Sequence, residues 1–281
     1  MHHKLGCLAI FLVASLLCPS PGKTQTPGTA SPSPENQQLY SSALNLMSQG
    51  DMDGSLKKID ELLAKDPDNT PALNLRGAVL VRKKNFDGAE KAFARLLEKD
   101  PKNAIAMFNM AEVHFLRGDY AKARVYFVRF TEQPGNEQNP LSRYKIFLCD
   151  LLGLDPTAAV KTMESLEPTI SNPFYYFARA AVEFKQHHSE KGRELVKSAF
   201  EIYPVSTNAA FADSLVALGW LKQEEVATVG AIDAASLNSL SKEFHPEKPA
   251  TSAPTIGFEN ILPDFATEGG KKKDTPAQRK P

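Results

Sequence analysis

The sequence predicts an all-α protein, a right-handed superhelical solenoid of antiparallel helix pairs that ends in a C-terminal capping helix. Stretches about 34 residues apart resemble one another, and a proline ends each of them. Within these stretches apolar residues recur every three to four positions, which is typical of amphipathic helices. Hydrophobic residues make up 42% of the chain, enough to supply a folded core.

The prolines give the period of the repeat. Pro67 and Pro101 lie 34 residues apart, and Pro134 follows 33 residues later. Proline cannot donate a backbone hydrogen bond, so each of these residues is expected to end a second helix and release the chain into the next pair. A period of this length indicates a stacked helical array.

Three polar residues mark where the second helices begin. Asp51, Asn85 and Asp119 each precede a predicted second helix, and their side-chain oxygens can accept hydrogen bonds from its free N–H groups. Gly50 and Gly118 stand just before two of them, where a tight turn needs permissive backbone angles. Each unit is therefore predicted to be a helical hairpin.

This pattern resembles the tetratricopeptide repeat, a 34-residue unit with small residues at positions 8 and 20, bulky residues at 17 and 24, and proline at 32. In the second unit these positions hold Gly77, Ala89, Phe86, Phe93 and Pro101. The resemblance implies about five units, of which the fourth is recognised by its length alone: 36–69, 70–103, 104–138, 139–172 and 173–206. Residues 207–244 are predicted to form C-terminal capping helices, the first over 208–221 with a buried Trp220 and another over 224–244.

The two ends are expected to lie outside the solenoid. A basic start and a 14-residue apolar run, too short to span a bilayer, predict a signal peptide over residues 1–24 and export to the periplasm or outside the cell. Residues 25–35 are predicted to be a disordered linker, and 245–281 a disordered tail rich in proline and lysine. An apolar island at 256–265 interrupts this tail, and it is expected to pack on the last helices or to dock on a groove or a partner.

The N-terminal segment allows two alternatives to cleavage near residues 22–26. It could remain as an uncleaved membrane anchor, or Cys18 could be acylated as in a bacterial lipoprotein. Leu17 stands where a lipoprotein signal has a small residue, which disfavours the second alternative.

Composition and motifs indicate no catalytic chemistry. Lys plus Arg and Asp plus Glu both number 33, so no basic field is expected to attract nucleic acid. The sequence contains no H-E-x-x-H, no G-x-S-x-G and no C-x-x-C. We expect no enzyme activity, no cofactor, no metal and no small-molecule substrate. His114 and Cys149 are predicted to be core residues, and the adjacent His187 and His188 to diverge at a turn.

The resemblance also implies a groove lined by the first helix of each unit, where partner peptides bind. The residues predicted to line it are Tyr40, Asn74, Phe108, Glu112, Phe115, Phe174, Phe177 and Phe184. Such an aromatic lining predicts a groove that binds an apolar peptide or an amphipathic helix, or one that the protein's own segments cover. A third alternative is that the helix register is shifted and these residues belong to the core.

The function that the resemblance implies is a non-enzymatic protein-interaction scaffold. It would be exported and would bind a peptide or helix of a partner protein, for the assembly of envelope or secretion complexes. The alternatives are a lipid-anchored outer-membrane assembly factor attached at Cys18, and an accessory domain of an enzyme complex.

Overall fold

The computed structural model describes residues 33–228, and their secondary structure is entirely helical. Eleven α-helices and one π-helical turn follow one another: α1 (Pro34–Ser48), α2 (Met52–Lys65), α3 (Thr70–Arg82), α4 (Phe86–Lys99), α5 (Ala104–Leu116), α6 (Tyr120–Thr131), α7 (Pro140–Cys149), the π-helical turn (Asp150–Leu154), α8 (Pro156–Glu164), α9 (Phe174–Lys185), α10 (Ser189–Ile202) and α11 (Val205–Ala217). A short helix over residues 223–228 ends the described range, within which no helix combines the length and apolar character needed to cross a bilayer.

The helices form a stack of hairpins, as predicted. Helices α1 and α2, α3 and α4, α5 and α6, and α9 and α10 pack as pairs. In the first three pairs, each second helix also contacts the first helix of the following unit. First helices contact one another as well, α1 with α3, α3 with α5 and α7 with α9. The result is the predicted helical solenoid, with one face formed by successive first helices.

The predicted caps begin the second helices. Asp51, Asn85 and Asp119 are the N-caps of α2, α4 and α6. Their side-chain oxygens accept hydrogen bonds from the backbone N–H three residues further along, at 2.8, 3.0 and 3.3 Å. The residue before each cap lies in the left-handed region, with φ of 86° at Gly50 and 79° at Gly118. Lys84 takes the same position at φ 58°, a conformation that disfavours a residue with a Cβ.

Small residues allow the two helices of a pair to approach closely. Gly77 on α3 faces the ring of Phe93 on α4, and a Cβ at this glycine would lie well inside van der Waals contact with the ring. In the first pair, the buried Ser55 donates a 2.8 Å hydrogen bond from its hydroxyl to the backbone carbonyl of Ala43. The helix pairs are thus held at a spacing set by small side chains.

The fourth unit departs from the others. A π-helical turn precedes its second helix, and in this turn the N–H of Asp155 donates to the carbonyl of Asp150 at 3.1 Å. The helix that follows, α8, has only 9 residues. This irregular geometry accounts for the missing repeat pattern in the sequence between 139 and 172.

Buried side chains form three hydrophobic clusters of very different extent. The first joins α1, α2 and α3 and includes Ala43, Ile59 and Leu75. A second joins α3, α4 and α5. The third extends from Met107 to Val226 and contains most of the buried aromatic residues. The apolar core is therefore concentrated in the C-terminal half of the solenoid.

The C-terminal end differs from the prediction. Helix α11 begins three residues before the predicted start at 208 and ends at Ala217, because Gly219 adopts φ 72° and breaks the helix. Trp220 therefore lies beyond α11 and is half-buried, not enclosed within a capping helix. The N-terminal segment through residue 32 and the chain from 229 onward, with the predicted signal peptide and the island at 256–265, lie outside the described residues.

We predict that Gly77→Ala lowers the free energy of unfolding by roughly 1–3 kcal/mol, because the new methyl group overpacks against Phe93. In an uncrowded helix Gly→Ala raises the free energy of unfolding by about 0.5–1 kcal/mol, so the sign of the measured change shows whether the methyl group is crowded. Urea unfolding followed by circular dichroism measures the change. Gly153→Ala is the control, since its Cβ would meet its nearest neighbour, Tyr120, at an ordinary 3.7 Å. Equal stabilities of the two variants would contradict this packing.

Candidate functional site: the face of the first helices

The prediction of an aromatic groove is wrong. Each of the five predicted phenylalanines is at most 5% exposed: Phe108, Phe115, Phe174, Phe177 and Phe184. Phe108 packs within its own hairpin, edge-on to Phe127 and Phe130 with ring centroids 5.3 Å away in both cases. These residues are core, as the third sequence alternative stated, and they form no groove on the face of the first helices.

The accessible part of each first helix is a narrow stripe. On α5 the side chains that keep some exposure are mainly Ile105, Asn109, Glu112 and Leu116. They are three or four residues apart, so they lie along one side of the helix. The rest of α5 is covered by its own second helix and by the neighbouring pairs. Phe108 is next to this stripe in sequence but points into the hairpin, because a step of one residue turns the helix by about 100°.

Two amide side chains connect the stripes of neighbouring repeats. The side-chain NH₂ group of Asn109 on α5 donates to the side-chain oxygen of Asn74 on α3 at 2.7 Å. The two residues are 35 positions apart, close to one repeat. Both side chains are half-buried, and each amide keeps further capacity to donate or accept a hydrogen bond. They form a polar strip across two repeats.

An ion pair continues this strip toward α7. The Nζ atom of Lys145 lies 2.8 Å from both carboxylate oxygens of Glu112. The Lys145 side chain is only 6% exposed and that of Glu112 is 18% exposed, so water screens the pair weakly. The Lys145 ammonium also sits 4.7 Å from the centroid of the Phe115 ring. This lysine is fixed by its surroundings and does not project into solvent.

The charges of this ion pair also act on Asp213, an acidic residue on α11. Burial raises the pKa of Asp213 to about 7, and the negative charge of Glu112 acts in the same direction. The positive charge of Lys145 lowers the pKa of Asp213, but by less than burial raises it. Near pH 7 this carboxyl therefore changes between its neutral and its negatively charged form, and the charge at this end of the strip changes with pH.

Three of the residues predicted to line a groove remain partly exposed on the first helices. Tyr40, Asn74 and Glu112 keep the half-buried, accessible positions that a groove residue needs. Asn109, Lys145 and Asp213 were missed. Two of them could have been found from spacing, since Asn109 follows Asn74 by 35 residues and Lys145 follows Glu112 by 33. Asp213 has no such signal because α11 lies beyond the repeats.

The remaining titratable candidates are structural. His114 is 3% exposed and stacks on Tyr126 with ring centroids 5.6 Å apart, and burial lowers its pKa. Cys149 is fully buried, which raises the pKa of its thiol to about 12. His188 lies at the N-cap of α10 with Nδ1 2.9 Å from a carboxylate oxygen of Glu183. Within residues 33–228, no three His, Cys, Asp or Glu side chains are grouped to hold a metal ion.

Comparison with known proteins places repeats in the first half of the solenoid. A family model described as tetratricopeptide repeat matches residues 40–103 and 79–137. No curated protein matches the chain.

Solved structures give partial matches to this chain at low sequence identity. A mutant O-GlcNAc transferase of Thermobaculum terrenum is 16% identical over 64% of this chain, with a TM-score of 0.39, and the match spans 28% of the transferase. The pilF protein of Pseudomonas aeruginosa is 14% identical over 73% of this chain and 97% of its own, with a TM-score of 0.45. TTC0263, a thermophilic TPR protein of Thermus thermophilus, is 17% identical over 64% of this chain and 99% of its own, with a TM-score of 0.46.

We predict that stability depends on the ionisation of Asp213. Its pKa is higher in the folded than in the unfolded chain, where an aspartate titrates near 3.9. The stabilising contribution is complete below about pH 4 and is lost as pH rises toward 7, by an amount on the order of 1–3 kcal/mol. Asp213→Asn should remove this loss and make the protein more stable than wild type at pH 8. Thermal unfolding from pH 4 to 8 measures the effect, with Glu201→Gln on the exposed side of α10 as control. Parallel stability curves for wild type and Asp213→Asn would refute it.

Proposed function

We propose that this chain, which a tetratricopeptide-repeat model matches over residues 40–137, is a protein-interaction scaffold that binds an extended segment of a partner protein along the face of its first helices, without catalysing a reaction. The observation that supports this most is the Asn74–Asn109 hydrogen bond of 2.7 Å between consecutive first helices. It places two amides, one from each repeat, on a surface that stays accessible.

An extended segment suits this surface better than an amphipathic helix. A helix would need a row of apolar pockets, and the phenylalanines that could have formed them are buried. An extended chain presents backbone N–H and C=O groups along its whole length, and an asparagine side chain can bind both kinds. Ile105, 40% exposed at the start of α5, adds an apolar contact beside the amides.

The ion pair of Glu112 and Lys145 limits what the partner can be. A free lysine on this face would attract an acidic or carboxylate-terminated peptide. Lys145 is instead neutralised at 2.8 Å and nearly covered, so its charge is satisfied within the protein. The proposed partner segment is therefore recognised by its backbone and small apolar side chains, and not by a strong negative charge.

A photo-crosslinking amino acid at Ile105 should capture the partner in the native cell, whereas the same amino acid at Val125 should not. Val125 on α6 is the matched control, since it is also an exposed β-branched residue, at 56%, but belongs to a second helix. A discrete adduct at Ile105 that disappears with Asn74→Ala and Asn109→Ala supports the groove. Equal adducts at both positions, or one at Val125 alone, would place the interaction elsewhere.

We propose in addition that the protein is exported, on the basis of the basic start and short apolar run in residues 1–24. The mass of the mature protein tests this. A new N-terminus between residues 22 and 26 supports a cleaved signal peptide, and a lipid-modified N-terminus at Cys18 supports the anchored alternative. An intact Met1 in the mature protein would contradict both and would agree with the uncleaved membrane anchor.

A further inference from the structure

A pocket of about 650 Å³ lies at an edge of the solenoid, away from the strip of Asn74 and Asn109. It forms where four chain segments meet: the start of α6, the π-helical turn, the turn between α9 and α10, and the residues that follow α11. Aromatic side chains of Tyr120, Phe184 and Trp220 line its interior. Lys185, His187, Ser189 and Arg193 also line it, so the pocket is partly polar and has room for one or two large side chains.

The aromatic wall of the pocket is held in place by packing. The rings of Phe184 and Trp220 stack with centroids 6.0 Å apart and an interplanar angle of 20°. Gly192 lies against the ring of Phe184, so closely that a Cβ there would come within 2.8 Å of it. Trp220 nevertheless remains half-buried, with part of the indole open to the pocket. The wall is preformed and does not depend on a ligand for its shape.

Only one of the two cations named at the rim lacks a carboxylate partner among the described residues. Arg193 is neutralised by Glu225 at 2.8 Å and by Glu190 at 3.0 Å. Lys185 is exposed at the C-terminal end of α9, and no carboxylate within the described range pairs with it. A segment with aromatic and acidic side chains could pack its rings on the aromatic wall and pair a carboxylate with Lys185.

The described part of the chain ends next to this pocket. Trp220 lines it, and the short helix over 223–228 is attached to its rim through the Glu225–Arg193 ion pair. The next strongly apolar stretch is 256–265, separated from the end of this helix by residues 229–255. A chain of that length reaches up to about 90 Å when extended, so the pocket is easily within range.

The composition of that stretch fits the pocket. It holds five large apolar residues in ten, two of them phenylalanines, with Glu259 and Asp264 and no basic residue. We propose that the segment 256–265 docks in this pocket of its own chain, with Phe258 or Phe265 against Tyr120 and Trp220 and an acidic side chain toward Lys185. Because the segment is tethered beside the pocket, even a weak intrinsic affinity keeps it bound. This intramolecular contact is independent of the function proposed for the first helices.

The chain has a single tryptophan, so Trp220 reports directly on the pocket. In full-length protein, Phe258→Ser with Phe265→Ser should roughly double the acrylamide quenching of Trp220 and shift its emission to longer wavelength, because the indole loses its cover. Asn260→Ser, in the same segment but without loss of apolar surface, is the matched control and should leave both unchanged.

A synthetic peptide of residues 254–267 should restore the wild-type quenching when it is added to the doubly substituted protein. Lys185→Glu in that protein should weaken peptide binding by about fivefold, the effect of losing one partly exposed ionic contact. Wild-type quenching in the double variant, together with no response to the peptide, would overturn the proposal. A quenching difference that depends on protein concentration would also overturn it, since it would mean that a second copy fills the pocket.

Discussion

The structure depends on how closely the two helices of each hairpin can approach. Gly77 meets the ring of Phe93, and Gly192 meets the ring of Phe184, with no space for a Cβ in either place. A small residue opposite a large ring sets the spacing of the pair, and this spacing fixes where the next pair can pack. The pairs α3–α4 and α9–α10 keep a close spacing with different residues, and the helix pairs can therefore stack as a solenoid.

The same regularity decides which distant residues meet. Side chains about one repeat apart face each other across neighbouring units, as in Asn109 with Asn74 and Lys145 with Glu112. Among exposed residues, Arg117 bonds to Asp87, 30 residues away, at 2.8 Å. Interactions across the repeats are therefore set by sequence separation, and the strip proposed to bind a partner is one row among several.

The sequence was sufficient for the hairpins and insufficient for the groove. Caps such as Asp51 and Asn85 act locally, within one turn of helix, so their role follows from their neighbours alone. Whether Phe108 is exposed depends on residues packed around α5 from other helices, and a shift of one position reverses the answer. The π-helical turn at Asp150–Leu154 was equally out of reach, since it has no marker in the repeat pattern.

The uneven distribution of the core has a consequence for how the chain is made. The first hairpin shares its apolar cluster with α3, so a nascent chain can close that cluster soon after the second unit begins to emerge from the ribosome. The largest cluster, from Met107 to Val226, is complete only when α11 and the residues beyond it are present. The third hairpin can bury Phe108 against Phe127 and Phe130 by itself, whereas Tyr144 and Phe177 gain their contacts with Phe211 only after α11 has been synthesised.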